Sequence, residues 1–151
     1  MSKNNIKIVN RKARYEYQLE KSFVAGIQLT GSEIKSIRLA NANLNEAYCY
    51  FKGDELFVKD MYIAEYEQAY QNEQHETKRD RKLLLNRVEL DKIKKKIESK
   101  GYTVVATKLF LNAKGLAKLE IYLAVGKKLF DKRKAIKERD IDRESARKIK
   151  E

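Results

Sequence analysis

Residues 15–29 read YEYQLEKSFVAGIQL, and apolar and polar side chains alternate along most of this stretch. Such alternation is typical of a β-strand with one buried face and one face in water. The predicted buried face comprises Tyr15, Tyr17, Leu19, Phe23, Ala25, Ile27 and Leu29. Because the strand exceeds the usual ~5–6 residues, it must bend to stay on one core, and Gly26 is the expected bulge or kink. Long bent strands are typical of small closed barrels.

Two helices are predicted after this strand. Residues 30–38 form a short helix, capped by Thr30 or Ser32, with isoleucines spaced by three on one face. It would plug one end of a barrel. The second helix begins at Asn86, whose spacing to a glutamate three residues later is that of a capping box, and runs to about Ser99.

Two hairpins complete the predicted body. The first turns at Gly53-Asp54, because glycine allows the positive φ that a two-residue turn requires. The second joins strands over 101–111 and 116–125 and would close the sheet. Residues 1–9 are either a disordered start or a first edge strand.

The chain is strongly basic. Its 151 residues suit one domain, and 34 Lys and Arg against 22 Asp and Glu give a formal net charge of +12. Unpaired Lys and Arg are almost never buried, so nearly all of the excess charge faces solvent. A compact basic protein attracts polyanions, and nucleic acid is the first candidate.

The composition disfavours several other classes. Cys49, the one cysteine, is predicted to lie in the core, and His75, the one histidine, to be a solvated residue of the long polar stretch 65–82. With so few reactive groups and no phosphate-binding glycine loop, we expect no enzyme activity, no metal and no cofactor. We also expect a cytoplasmic protein, because there is no signal-like segment, no span of ~18 apolar residues and no cysteine pair.

The octet Gly126–Arg133, which reads GKKLFDKR, marks the change from a periodic body to a charged tail. We predict a body over 1–126 and a basic tail over 127–151. Three arginines spaced by four would line one side of a tail helix that has no apolar face: Arg139, Arg143 and Arg147. Packing cannot hold such a helix, so the tail is expected to be disordered when free and ordered against RNA. The alternative is an ordinary lysine-rich terminus.

Several stretches together resemble one protein family. Asn10–Arg14 reads NRKAR, Gly31–Arg38 reads GSEIKSIR, and Arg79–Leu85 reads RDRKLLL. With the octet, they follow the order and spacing of the small protein B family, the bacterial SsrA-binding proteins. The resemblance runs from about Asn10 to Arg147.

This resemblance implies a mainly β fold: a closed antiparallel oligonucleotide-binding-type β-barrel with two or three helices and a disordered basic C-terminal tail. It also implies binding to the tRNA-like domain of transfer-messenger RNA and delivery of that RNA to stalled ribosomes for trans-translation. The tail, helical on the ribosome, would contact ribosomal RNA in the decoding centre and the empty messenger channel. Elongation factor Tu would be a partner through the shared RNA, and the protein would be a monomer.

The predicted contacts form two groups. Those for transfer-messenger RNA are Arg11, Lys12, Arg14, Lys35, Arg79, Arg81, Lys82, Leu84 and Asn86. Those for the ribosome are Gly126, Lys127, Lys128, Phe130, Asp131, Lys132, Arg133, Arg139, Arg143 and Arg147. Leu84 and Asn86 are assigned by the resemblance, and the body cations by their clustering.

Structural alternatives remain open for these residues. Leu84 could lie in the core, Asn86 could serve as a helix cap with or without an RNA contact, and the other cations could simply be solvated. The sequence departs from the family at three positions: Val24 replaces an acidic residue common in relatives, and Thr77 and Ala106 replace prolines. The rival hypothesis is a generic RNA-binding barrel, such as a ribosomal protein.

Overall fold

Nine β-strands and three α-helices are found within residues 6–70, 73–99, 101–128 and 134–135, which the computed structural model describes. The strands are β1 (Lys7–Val9), β2 (Tyr17–Ile27), β3 (Ala42–Asn43), β4 (Tyr48–Lys52), β5 (Glu55–Lys59), β6 (Tyr62–Ile63), β7 (Arg81–Leu84), β8 (Tyr102–Leu111) and β9 (Ala117–Gly126). The helices are α1 (Arg11–Glu16), α2 (Gly31–Arg38) and α3 (Arg87–Glu98).

Six strands close into an antiparallel ring in the order β8-β4-β5-β7-β2-β9, because β9 also pairs with β8. β1 adds to β8, so residues 7–9 form the edge strand that was one of the two expectations for this segment. β3 and β6 pair separately. The predicted closed barrel is confirmed. Within the described part of the chain, no helix has both the length and the apolar character needed to cross a bilayer.

The bend in β2 lies near its start and not at Gly26. The pairing of β2 with β9 shifts register between Leu19 and Lys21, whereas it is regular from Lys21 to Gly26. One extra residue turns the side chains that follow to the other face of the sheet. Tyr17 and Leu19 therefore pack on the outer side with Ala13, while Phe23 and the residues after it enter the main core. The single buried face predicted from the alternation is divided in two.

A capped helix replaces the predicted start of that strand. Asn10 is buried, accepts a hydrogen bond from the Ala13 N–H at 3.2 Å, and donates through Nδ2 to the carbonyls of Leu44 and Ala106 at 2.9 and 3.0 Å. This cap holds residues 11–16 in a helix. Tyr15 is consequently 80% exposed on α1, and its predicted place on the buried face is wrong.

The barrel interior is filled from the strands and is closed by two helices. Phe23, Leu56, Val58 and Ile121 belong to one buried apolar cluster with Ile37 of α2 and with Leu90 and Ile93 of α3. The short plug helix expected after the long strand is α2, and its cap is Thr30. Cys49 lies in the same cluster, as predicted, and burial raises the pKa of its thiol. The thiol therefore stays protonated and unreactive at neutral pH.

An ion cluster around Glu33 ties α2 to the strands. The Glu33 carboxylate is fully buried and accepts hydrogen bonds from the Thr30 N–H at 2.8 Å, from Arg79 Nη2 at 2.6 Å and from Arg81 Nε. The fully buried Arg81 also donates to the carbonyls of Met61 at 2.7 Å and Thr77 at 3.2 Å. One guanidinium thus connects α2, β7, the residue before β6 and the segment between β6 and β7.

The charge of Glu33 links this cluster to pH. Burial by itself raises the pKa of Glu33, but hydrogen bonds from Arg79 and the Thr30 N–H, with the charge of Arg81, outweigh it and lower the pKa below its ordinary value. A carboxyl with a lowered pKa in the folded chain contributes stability above its unfolded pKa, about 4.3. That contribution is lost as the pH falls through the lower folded-state pKa.

His75 joins the same region, and its prediction as a solvated residue is wrong. The ring is buried, with Nδ1 2.8 Å from Ser32 Oγ and Nε2 2.9 Å from the Ile63 carbonyl oxygen. The polar segment between β6 and β7 folds back over the start of α2, which removes the imidazole from water.

We expect Arg81→Ala to destabilise the protein by about 3–5 kcal/mol, because it leaves the Glu33 carboxylate buried without its main cation. The measurement is urea denaturation followed by circular dichroism. Arg79→Ala is the matched control: Arg79 also contacts Glu33, but its side chain is 34% exposed. If both variants lost the same free energy of unfolding, Arg81 would not be the main cation that stabilises the buried Glu33 carboxylate.

Candidate nucleic-acid interface

Three neighbouring strands present an outward row of Leu84, Gly26 and Lys118. Gly26 of β2 lies opposite Leu84 of β7 on one side and Lys118 of β9 on the other. Leu84 is 51% exposed, whereas Leu83 before it is buried, so the alternative that Leu84 is a core residue is excluded. Packing inside the barrel does not explain an outward leucine at this position.

The absence of a side chain at Gly26 shapes this row. A Cβ built at Gly26 would lie 3.3 Å from Leu84 Cβ and 3.7 Å from Lys118 Nζ. The glycine therefore leaves a shallow cavity of about 320 Å³ that is also lined by Leu116 and Arg38. Val24 is 53% exposed on the same strand. We call Val24, Gly26, Leu84, Asn86 and Lys118 the Leu84 surface.

Asn86 adds a polar group at one edge of this surface. Its Oδ1 accepts a hydrogen bond from the Glu89 N–H at 2.8 Å, which caps α3 as predicted. This cap uses one lone pair of the side-chain oxygen and neither donor of the amide nitrogen. Because Asn86 is exposed, those donors face outward and are available to a ligand. The cap and an RNA contact are compatible roles.

The cations between residues 79 and 82 have different surroundings. Lys82 lies on the outer side of β7, with Nζ 2.8 Å from Glu55 Oε1 and a third of its side chain exposed. Arg79 is also partly exposed but is held by Glu33 and by the Gln28 carbonyl. The structure corrects the assignment of Arg81 to the RNA surface, because its side chain is fully buried and donates to Glu33 and to backbone carbonyls inside the protein.

The cations of α1 lie elsewhere. Arg11, Lys12 and Arg14 are exposed, and Ala13 packs on Ala124. Ala124 lies six positions after Lys118 in β9, so the two groups are about 20 Å apart along the strand. A hydrogen bond with Glu46, together with the charges of Glu46 and Glu16, raises the pKa of Lys12. The structure thus does not bring the α1 cations to the Leu84 surface.

The α1 cations lie instead near the end of β9. Tyr15, Glu16 and Tyr17 line one cavity with Gly126, Lys127 and Lys128, and both lysines are exposed. We call this second patch, Arg11 to Arg14 with Gly126 to Lys128, the tail root. Seven predicted ribosome contacts lie outside the described residues: Phe130, Asp131, Lys132, Arg133, Arg139, Arg143 and Arg147.

Lys35 belongs to neither patch. It is exposed on α2, with Nζ 5.6 Å from the centre of the Tyr66 ring, and faces the segment after β6. Within the described residues, no group of three or more His, Cys, Asp or Glu side chains could hold a metal ion.

The sequence alone did not assign Gly26, Leu116 or Lys118 to a functional surface. Lys118 lies within the predicted strand over 116–125. Its position beside Leu84 depends on the pairing of β2 with both β7 and β9, and that pairing has no local sequence signal.

Comparisons with known proteins agree with one another. The family model for SmpB protein matches residues 7–151. The chain is 50% identical over 150 residues to the SsrA-binding protein of Bacteroides thetaiotaomicron, covering 99% of both chains, and 51% identical over 147 residues to that of Parabacteroides distasonis, covering 97% and 95%. A chain from a solved structure described as "tmRNA-SmpB: a journey to the center of the bacterial ribosome" superposes with a TM-score of 0.68 at 38% identity, covering 81% of this chain and 85% of that one.

We expect Gly26→Ala to weaken RNA binding about three- to tenfold, equivalent to ~0.7–1.4 kcal/mol, because the added methyl displaces Leu84. The measurement is a gel-shift titration with structured RNA, alongside a thermal melt. Gly31→Ala is the matched control, since a Cβ there meets no atom within 4 Å. Equal affinities for the two variants would show that the shape of the Leu84 surface is unimportant.

Proposed function

The chain belongs to the SmpB protein family, and from this we propose that it binds the tRNA-like domain of transfer-messenger RNA and delivers that RNA to stalled ribosomes for trans-translation. It acts as a binding protein in the cytoplasm, not as an enzyme. Its close relatives are SsrA-binding proteins over nearly their whole length, and the structural match comes from a tmRNA-SmpB structure on the bacterial ribosome. The family, the fold and the basic charge therefore all support one role.

The observation that carries the proposal is the outward position of Leu84 next to the exposed Asn86. These are the two positions that the family resemblance assigns to RNA. An exposed leucine offers an apolar contact for a sugar or base, and the asparagine amide offers hydrogen-bond donors beside it. Lys82 and Lys118 flank them with charge for phosphates. The Leu84 surface is therefore the proposed site for the tRNA-like domain.

The tail root and residues 127–151 take the ribosomal part of the function in this proposal. The body over 1–126 holds the transfer-messenger RNA, and the basic tail, disordered when free, becomes helical against ribosomal RNA in the decoding centre and messenger channel. The exposed Lys127 and Lys128 at the end of β9 support this division, because they direct positive charge away from the barrel. Elongation factor Tu joins through the shared RNA, and the protein acts as a monomer.

The two roles of Asn86 can be separated by two substitutions. Asn86→Ala removes the cap and should cost about 1 kcal/mol of stability, whereas Asn86→Asp retains a good cap. Both variants should lose affinity for the tRNA-like domain, because alanine removes the amide donors and aspartate adds a charge that repels phosphate. Denaturation and gel-shift titration give the two readouts. Normal RNA affinity in a stable Asn86→Asp variant would assign Asn86 to capping alone.

Removal of residues 134–151 should leave binding to transfer-messenger RNA near normal and abolish tagging of nascent chains on stalled ribosomes. The reason is that the Leu84 surface lies wholly within the body. Leu84→Ala is the reciprocal variant: it leaves the tail intact and should lose affinity for transfer-messenger RNA. A gel shift and an in vitro tagging assay measure the two activities. Full tagging by the truncated protein would contradict the role given to the tail.

A further inference from the structure

A second basic site lies between the end of α3 and the middle of the barrel wall. Lys21, Lys92, Lys95 and Lys96 surround a cleft of about 320 Å³ whose floor includes Phe23 and Leu123. Among the described residues that line this cleft, none is acidic. Four lysine side chains therefore line one partly apolar opening. This arrangement suits a phosphodiester backbone, whose phosphates are anionic and whose sugars are partly apolar.

Two of the four lysines of this cleft, Lys21 and Lys96, are positioned by aromatic rings. Lys21 Nζ lies 5.4 Å from the centre of the Phe23 ring, and Lys96 Nζ lies 5.2 Å from that of Tyr102. Aromatic faces attract cations but leave the positive charge in place. The Tyr102 hydroxyl is itself bound to Glu20 at 3.3 Å, so this nearby carboxylate already has a protein partner.

On the opposite side of α3, the cations form ion pairs with carboxylates. There Lys94 Nζ contacts Asp54 Oδ1 at 2.9 Å, and Arg87 pairs with Asp91 at 3.6 Å. Lysines in the last turn of a helix also interact favourably with the helix dipole. This explains the presence of Lys95 and Lys96 but not of the other two lysines. Lys92 lies a turn earlier and Lys21 lies on another element, so the dipole does not explain the cleft.

Helix α3 joins this cleft to the Leu84 surface. Asn86 caps the helix at its start, and the exposed positions Val88, Lys92 and Lys96 follow at intervals of four on one side. At 1.5 Å per residue, Lys96 lies about 15 Å along the helix from Asn86. The exposed side of α3 therefore leads directly from one surface to the other.

We propose that the RNA strand bound at the Leu84 surface continues along this side of α3, and that the lysine cleft binds two of its phosphates. The inference rests on the proposed function and extends its RNA footprint to residues outside the family motifs. It names transfer-messenger RNA as the ligand of the cleft. Ribosomal RNA is the ligand that the experiment must exclude.

The test uses the full chain and the isolated tRNA-like domain of transfer-messenger RNA, with gel-shift affinities measured between 50 and 200 mM KCl. The cleft variant is Lys92→Gln, Lys95→Gln and Lys96→Gln together. The control variant is Lys7→Gln, Lys52→Gln and Lys59→Gln, which removes the same charge from exposed lysines outside the cleft. A third variant, Lys92→Arg, Lys95→Arg and Lys96→Arg together, retains the charge. Far-UV circular dichroism checks the fold of each.

Loss of two phosphate contacts should make the slope of log affinity against log salt shallower by about 1.4–1.8 in the cleft variant. The control variant should retain the wild-type slope, and the arginine variant should bind like wild type. Equal slopes for the cleft and control variants would overturn the proposal, even if the cleft variant binds ribosomes less well. Failure of the wild-type protein to bind this RNA would overturn the proposed function as well.

Discussion

The buried pair of Glu33 and Arg81 determines which side chains of β7 face outward. Arg81 and Leu83 point inward and Lys82 and Leu84 point outward, as the two-residue period of a strand requires. A register slip of one residue would place Leu84 in the core and expose a guanidinium that now donates to the Glu33 carboxylate and to three backbone carbonyls. Because the same pair fixes α2 and the segment before β7, the position of the Leu84 surface depends on an interaction that contacts no ligand.

The sequence alone predicted those features that depend on residues close together in the chain. The cap at Asn86 and the turn at Gly53 depend on residues a few positions apart, and each was predicted where it is found. Thr30, which caps α2, was one of the two residues expected to do so. Long alternating strands also indicated the closed barrel. The family resemblance, more than any periodicity, pointed to Leu84 and Asn86.

The sequence alone did not predict the position of side chains whose partners lie far away in the chain. Arg81 resembles an RNA-binding cation in sequence because its anionic partner, Glu33, is far away in the chain. His75 resembles a loop residue for the same reason, since its partners are Ser32 and the Ile63 carbonyl. The bulge near Leu19 has no glycine to mark it, and it arises where β2 passes from packing on α1 to packing in the main core. The tail beyond the described residues depends on sequence reasoning alone.

Closure of the ring by β2 and β9 has a consequence for folding kinetics. Tyr17 pairs with Gly126, so the ends of these strands are about a hundred residues apart in the chain, and β1 pairs with β8 over a similar distance. Contacts of such high sequence separation cannot form until their second partner has been synthesised. During translation, β2 therefore has an unpaired edge and a solvent-exposed apolar face while most of the barrel is made. A newly made chain is thus vulnerable to edge-to-edge association until β9 emerges, and a chain truncated before β9 would keep that vulnerability permanently.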